Sequence, residues 1–468
     1  MRNHTLAKLL PSQKGLPSDN AAGSPSSPDA LSAAHATAED TGRDASGTLL
    51  DRGDRKINWR RNLYAIWAAQ LLAIMAFSMR APFLPFFLGD LGIHSDKQQA
   101  LWAGLVNAGG AGVMAFTAPI WGALADRKGR RPMLLRAQFA AFCTIGLMGL
   151  ATAPWQILGL RMVEGALTGT VTAATALVAA TVPKDRLGYG LGMIQTAIFS
   201  GAAIGPLFGG IVADQFGYRP AFGLASSMML CGALVTLFFV RENFHPVVRA
   251  AGAPAQERAW RLLMAPLLLG MTIAMFGIRA AEGAVQPIMS LFIKQLSNGA
   301  SNASTLAGLS LGVLGITSAI SAIFLGRYGD KHGYRKVLMT CAIGAGLIYL
   351  PMSLTQHPWQ MIALQAVFGV FAGGMIPSAN ALVAKGTDPS RRGLVYGMMA
   401  TAASIGGFVG PLAGSGLAAG YGFRATFFLT GALLLGVVVV LFVTGRREQS
   451  DTPDTPDTLN TVVRSSAD

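Results

Sequence analysis

Apolar residues in this chain run in long blocks instead of alternating with polar ones. Predominantly apolar stretches recur around residues 62–89, 100–123, 133–153, 155–180, 188–214, 220–240, 263–290, 303–326, 337–354, 359–384, 393–419 and 424–444. A helix needs roughly 20 such residues to cross the hydrocarbon core of a bilayer. Inside that core every backbone polar group must be satisfied within the fold, which a helix does by itself. The pattern therefore predicts an all-α integral membrane protein with twelve spanning helices.

The blocks are written twice. Gly122-Ala-Leu-Ala-Asp126-Arg127-Lys-Gly129-Arg130-Arg131 returns as Gly326-Arg-Tyr-Gly-Asp330-Lys-His-Gly333-Tyr-Arg335, a step of 204 (330 − 126). Arg161, Gly165 and Gly169 step by 204 onto Gln365, Gly369 and Gly373; farther on, Gly205-Pro206 meets Gly410-Pro411 at a step of 205. A period this long is a half-protein duplication, since solenoid repeats recur every few tens of residues. Two parallel halves in an apolar chain point to a secondary transporter. The expected organisation is two six-helix bundles at 58–245 and 263–447, a cytoplasmic linker at 246–262, and disordered cytoplasmic tails at 1–57 and 448–468. The first tail has a second reading, an over-extended start of translation.

Composition agrees with the pattern, because 52% of residues are hydrophobic and only 13% charged, about half the charged share of a soluble domain. The formal net charge of +14 is distributed unevenly. Arg127, Lys128, Arg130, Arg131 and Arg136, and in the second half Arg327, Lys331, Arg335 and Lys336, fall in alternate loops; the remaining loops hold only Lys97, Arg219, Lys294 and Arg424. Positive charge is retained on the cytoplasmic side, so both termini are expected inside. The basic excess then reflects topology and anionic lipid headgroups, and nucleic-acid binding is not implied. Cys143, Cys231 and Cys341 lie within predicted spans and give no disulfide framework. The six histidines show no metal-ligand spacing and no P-loop is present, so neither an enzyme nor a cofactor is expected, and transport is not driven directly by ATP.

The doubled Asp126 and Asp330 phrase resembles the signature loop of the major facilitator superfamily, over about residues 58–445. The run Ile57-Asn-Trp-Arg-Arg-Asn-Leu63, with Trp121 through Arg136, is similar to the twelve-helix branch of drug:proton antiporters. The resemblance implies the major facilitator fold, with the first, fourth, seventh and tenth spans around a central cavity. Physically the phrase reads as a cytoplasmic latch: Gly122 and Gly326 permit close approach, Asp126 and Asp330 accept from arginines such as Arg127, Arg130 and Arg335, or from a helix N-terminus, and Gly129 and Gly333 allow tight turns. Gly201, Gly205, Pro206, Gly209 and Gly210 resemble the superfamily's antiporter motif. Glycines four apart make a smooth seam for another helix, and a proline removes one backbone hydrogen bond; simple close packing explains the seam equally well.

Five ionisable residues fall deep inside predicted spans: Arg80, Arg161, Glu164, Arg279 and Glu282. Each costs roughly 2.5–3.5 kcal/mol facing lipid, so they are expected to line an aqueous cavity or to pair. Arg161 with Glu164, and Arg279 with Glu282, are three apart and share a helix face. Arg80 has no such neighbour, and the near-repeat spacing 282 − 80 = 202 suggests that it faces Glu282 across the cavity. A carboxylate that changes protonation between a desolvated and an arginine-paired state would couple transport to protons. Glu164 and Glu282 are the candidates; static pairs that only fix helix positions are the alternative. Three arginines against two glutamates leave one positive charge over, which favours substrates with an acidic group. Phe77, Phe83, Phe86, Phe87, Met271, Met275 and Phe276 read as an adaptable lining or as ordinary packing. The expected function is proton-coupled export of small organic molecules across the bacterial inner membrane by a monomeric carrier. Export of one endogenous anionic metabolite, such as a siderophore, is the alternative, and a channel is a weaker one.

Overall fold

The computed structural model describes residues 58–183, 186–242, 266–387 and 392–451. The linker at 246–262, most of both predicted tails, and the Asp126 side chain lie outside the described set. The described helices are α1 (Trp59–Met79), α2 (Leu84–Asp90), α3 (Asp96–Lys128), α4 (Arg130–Gly149), α5 (Pro154–Leu167), α6 (Thr170–Thr181), α7 (Leu187–Phe216), α8 (Tyr218–Phe239), α9 (Pro266–Leu296), α10 (Ala303–His332), α11 (Tyr334–Ser353), α12 (Pro358–Gly386), α13 (Arg392–Tyr421) and α14 (Phe423–Asp451). Among the described residues twelve spans are long and apolar enough to cross a bilayer, α5 and α6 together making one of them. The described residues belong to one compact unit.

Two spans are not the continuous rods that hydropathy predicts. The first, expected over 62–89, stops at Met79 and restarts as the short α2. Pro82 and Pro85 lie in this stretch, and proline can neither donate a backbone hydrogen bond nor sit in a helix interior without a clash. The fourth, expected over 155–180, breaks at Thr168 and Gly169, where Gly169 takes φ +141. At the far end, α14 continues to Asp451, four residues into the predicted tail (451 − 447).

Single glycines join antiparallel spans at four places. Gly129, Gly333, Gly217 and Gly422 have φ of 95, 94, 90 and 87°, values that a residue with a Cβ adopts only under strain. Arginines at the same turns tie neighbouring helices together in both halves. Arg131 donates to the Leu237 carbonyl at 2.7 Å and Arg335 to that of Leu441 at 3.1 Å; Arg219 donates to Ala151 at 3.0 Å and Arg424 to Thr355 at 3.0 Å. The duplication is therefore kept in the hydrogen bonds as well as in the sequence.

The glycine seam of α7 lies along α1. A Cβ on Gly201 would come within 2.8 Å of the Ile74 Cβ, and one on Gly205 or Gly209 would strike the backbone of Met75 or Met79. In the second half Gly406, Gly410 and Gly414 meet the α9 backbone at Phe276, Ala280 and Ala284. By contrast a Cβ on Gly122 or Gly326 would meet nothing within 4 Å. The close approach expected at these two latch glycines is absent from this conformation.

Adding one methyl should separate the two groups of glycines. Gly209→Ala and Gly410→Ala are expected to destabilise by about 1–3 kcal/mol, the usual range for overpacking, and to lower the thermal transition of the purified protein. Gly122→Ala and Gly326→Ala should leave it unchanged. Equal losses at all four positions would contradict the seam assignment.

Candidate functional site

Where α1 ends and α5 nears its break, the fold brings three charged side chains into one buried cluster. Arg80 caps the C-terminus of α1, and Glu164 lies one turn before the α5 break. The Arg80 guanidinium grips the Glu164 carboxylate with both terminal nitrogens, Nη2 to Oε1 at 2.9 Å and Nη1 to Oε2 at 3.1 Å. Arg161 adds a third bond, Nη1 to Oε1 at 2.8 Å. Glu164 is wholly buried and Arg80 is 6% exposed. Both carboxyl oxygens are thus satisfied, and guanidinium–carboxylate bonds are among the strongest between side chains. Gly110 of α3 packs on Arg161, where an added Cβ would come within 3.0 Å of the Arg161 Cγ.

The cluster borders a cavity of about 240 Å³, which has room for a small organic group rather than for a whole drug-sized molecule. Phe77, Arg80, Asn107 and Arg161 line it from the first half, and Gln286 and Leu311 from the second. Asn107 and Gln286 are site residues that the sequence reading missed. The available signal was a lone amide within an apolar span, weaker than a formal charge.

The pairing expected across the cavity is not found, because Arg80 binds Glu164 within its own half. Glu282 instead receives Arg279 Nη1 at 3.1 Å on α9, as the three-residue spacing predicted. This second pair is far more open, with side chains 44% and 31% exposed. At the step of 204, Glu282 corresponds to Ser78 (282 − 204), while Arg161 and Glu164 correspond to Gln365 and Phe368, both buried. The charge cluster is thus confined to the first half, with two guanidiniums around one carboxylate. The surplus positive charge counted in the sequence is located there.

Most of the proposed apolar lining is packing. Phe83, Phe86, Phe87, Met271 and Met275 are buried in the core, and Phe83 and Phe87 pack edge-on and tilted against Phe222, with ring centroids 5.1 and 5.2 Å apart. Phe77 reaches the cavity, where the Arg80 guanidinium lies 5.5 Å from its ring centroid. The latch residues engage their own half. The backbone N–H groups of Arg130 and Arg131 donate to Glu242 at 2.9 and 2.7 Å, the Tyr334 hydroxyl donates to Asp330, and Arg127 is exposed.

The two halves meet at the end opposite the basic turns. Gly104 of α3 abuts Pro411 and Ser415, a Cβ on Gly112 would come within 2.8 Å of the Phe408 ring, and one on Gly312 within 2.9 Å of the Ala203 carbonyl oxygen. Toward the basic end a Cβ added at Gly188, Gly192 or Gly397 would meet nothing within 4 Å, and Phe116, Ile120 and Phe324 are exposed. The cavity is therefore shut at one end and flanked by parted helices at the other.

A family model described as the Major Facilitator Superfamily matches residues 66–297 and 267–466. The chain is 38% identical over 386 residues to "Multidrug resistance protein MdtG" of Citrobacter koseri, spanning 82% of this chain and 95% of that protein. It is 37% identical to the protein of the same name from Salmonella schwarzengrund, over 82% of this chain and 96% of that one. Among solved structures, it is similar in fold to a bacterial homologue of the human lysosomal transporter Spinster, in an inward-facing and unoccupied conformation. That likeness has a TM-score of 0.69 at 16% identity, over 86% of this chain and all of the other.

Removing one partner from a buried ion pair strands the other charge, at a cost of about 3–5 kcal/mol, whereas partly exposed pairs contribute roughly 0–1 kcal/mol. Glu164→Ala is therefore expected to lower the thermal transition sharply, and Glu282→Ala to lower it little. The same ranking should appear in expressed yield. A larger loss from Glu282→Ala would show that the burial difference does not govern stability here.

Proposed function

This chain belongs to the Major Facilitator Superfamily, and on that premise we propose that it is a proton-coupled multidrug exporter of the inner membrane. It is a multi-pass transporter and not an enzyme. Near-complete coverage of relatives that carry multidrug-resistance names supports efflux of several kinds of small organic molecule, and disfavours dedicated siderophore export. The charge asymmetry of the loops supports a cytoplasmic placement of the basic end and both termini. On that placement the present conformation is open to the cytoplasm, and alternating access consists of the two halves rocking about the cavity.

The observation that carries the coupling mechanism is Glu164, fully buried between Arg80 and Arg161 beside a cavity that both halves line. Burial disfavours an isolated carboxylate, and an approaching guanidinium restores it. In the cytoplasm-open state both arginines hold Glu164 ionised, so its proton has left inward. Rocking to the opposite state moves α1 and α5 relative to each other, loosens this grip, and lets the carboxylate take a proton from outside. Glu282, in its more open pair with Arg279, is the secondary candidate. Drug substrates bearing an acidic group suit the surplus guanidinium, because they compete with Glu164 for Arg161.

Transport into inverted membrane vesicles, with a panel of drugs and acidic metabolites and with or without an imposed pH gradient, tests this reading. The Glu164→Gln, Glu282→Gln double variant should lose gradient-driven uptake while still binding substrate, with Glu164→Gln alone giving most of the loss. Uptake that survives in the double variant removes both residues from the coupling role. Arg161→Ala should weaken handling of acidic substrates by roughly tenfold or more, about the value of one charge-assisted contact, and spare cationic ones.

A further inference from the structure

At the closed end of the molecule, α10 begins without a cap of its own. Asn302 stands at the N-cap position but makes no side-chain cap hydrogen bond, and the first turn of α10 carries no acidic residue. A helix start leaves several backbone N–H groups without an intrahelical acceptor. Here two of them are satisfied from the other half. Asp214, near the C-terminus of α7, accepts from the Ser304 N–H at 3.3 Å and the Thr305 N–H at 2.7 Å. These are the second and third residues of α10, the positions that a capping carboxylate serves, and the negative charge also lies at the positive end of the helix dipole.

The contact marks the rim of a seam. One turn in from Asp214, Gly210 abuts the Ser304 backbone; deeper still, Gly308 abuts Pro206, and a Cβ on Gly315 would come within 2.8 Å of the Ala203 Cα. The other seam between the halves, α3 with α13, is built differently. The residue of α13 matching Asp214 is Ala419 (214 + 205), and α3 carries its own first-turn acid, Asp96, whose ion-pair partner is Lys294 at 3.5 Å. Only one of the two seams is closed by a helix cap lent across the interface.

We infer that Asp214 is a gate-positioning residue. By capping α10 across the interface it holds the outer mouth shut in the cytoplasm-open state, and its release permits the outward-open state. Resting on the alternating-access reading above, this assigns a conformational role to a residue outside both the signature loop and the antiporter glycine motif. Because the cap exists only while α7 and α10 touch, it stabilises one state of the carrier and not the other, which is the requirement for shifting a two-state equilibrium.

The test uses the full-length protein with Cys143, Cys231 and Cys341 replaced and a single reporter cysteine at Asn107, in the cavity wall. Labelling by a membrane-impermeant maleimide is followed from each membrane face. Asp214→Ala and Asp214→Asn are expected to raise the labelling rate from the face opposite the basic turns by roughly two- to thirtyfold, the range for loss of one cap. Asp214→Glu should restore the slow rate, which a purely structural role would not require. Unchanged labelling from that face in the isosteric Asp214→Asn variant, with its size-exclusion profile intact, overturns the inference even if Asp214→Ala fails to fold. The assay needs neither substrate nor proton gradient, so its failure is distinguishable from failure of the multidrug reading.

Discussion

A carboxyl group held away from water within a membrane-spanning bundle needs hydrogen-bond partners on both oxygens, and that demand organises the centre of this protein. Glu164 takes one guanidinium from α1 and another from its own helix. To deliver Arg80 the first span ends at Met79, and Glu164 lies on the last turn of α5 before the Gly169 break. The two interruptions of otherwise continuous spans thus lie where the cluster is built. Irregular backbone at membrane depth is tolerated where it is buried in protein or lines a cavity, and both conditions hold here.

Around that cluster glycines set the closest helix contacts, both within and between the halves. Within each half, glycines of α7 and α13 bring backbone onto backbone against α1 and α9. Such contacts work through close van der Waals packing and leave no space to rearrange, so α7 is held to α1 and α13 to α9. Between the halves, glycines of α7, α10 and α3 come equally close to facing backbone, and one rim adds a hydrogen-bonded cap.

The duplication explains the scaffold but not the chemistry. Turn glycines and the arginine ties at Arg131, Arg335, Arg219 and Arg424 occur at matching places in both halves. The positions matching Arg161 and Glu164 hold Gln365 and Phe368, and Asp214 is matched by Ala419. Packing constraints act alike on both copies, whereas a coupling site or a gate needs only one set of charges. The asymmetry therefore marks the residues that departed from the shared scaffold.

By itself the sequence determined the twelve spans, the doubled bundle, the glycine seams and the list of ionisable side chains within the membrane. Each of these is a local or periodic property: hydropathy over about 20 residues, spacing on one helix face, or repetition of a phrase. The pair of Arg279 with Glu282 was readable for the same reason, since three residues separate them. Only the tertiary structure decided that Arg80 closes on Glu164, 84 residues away, that Asp214 caps a helix 90 residues on, and which end of the cavity is shut. Those partners depend on where helices cross, and a crossing is fixed by the packing of whole bundles, which no single segment encodes.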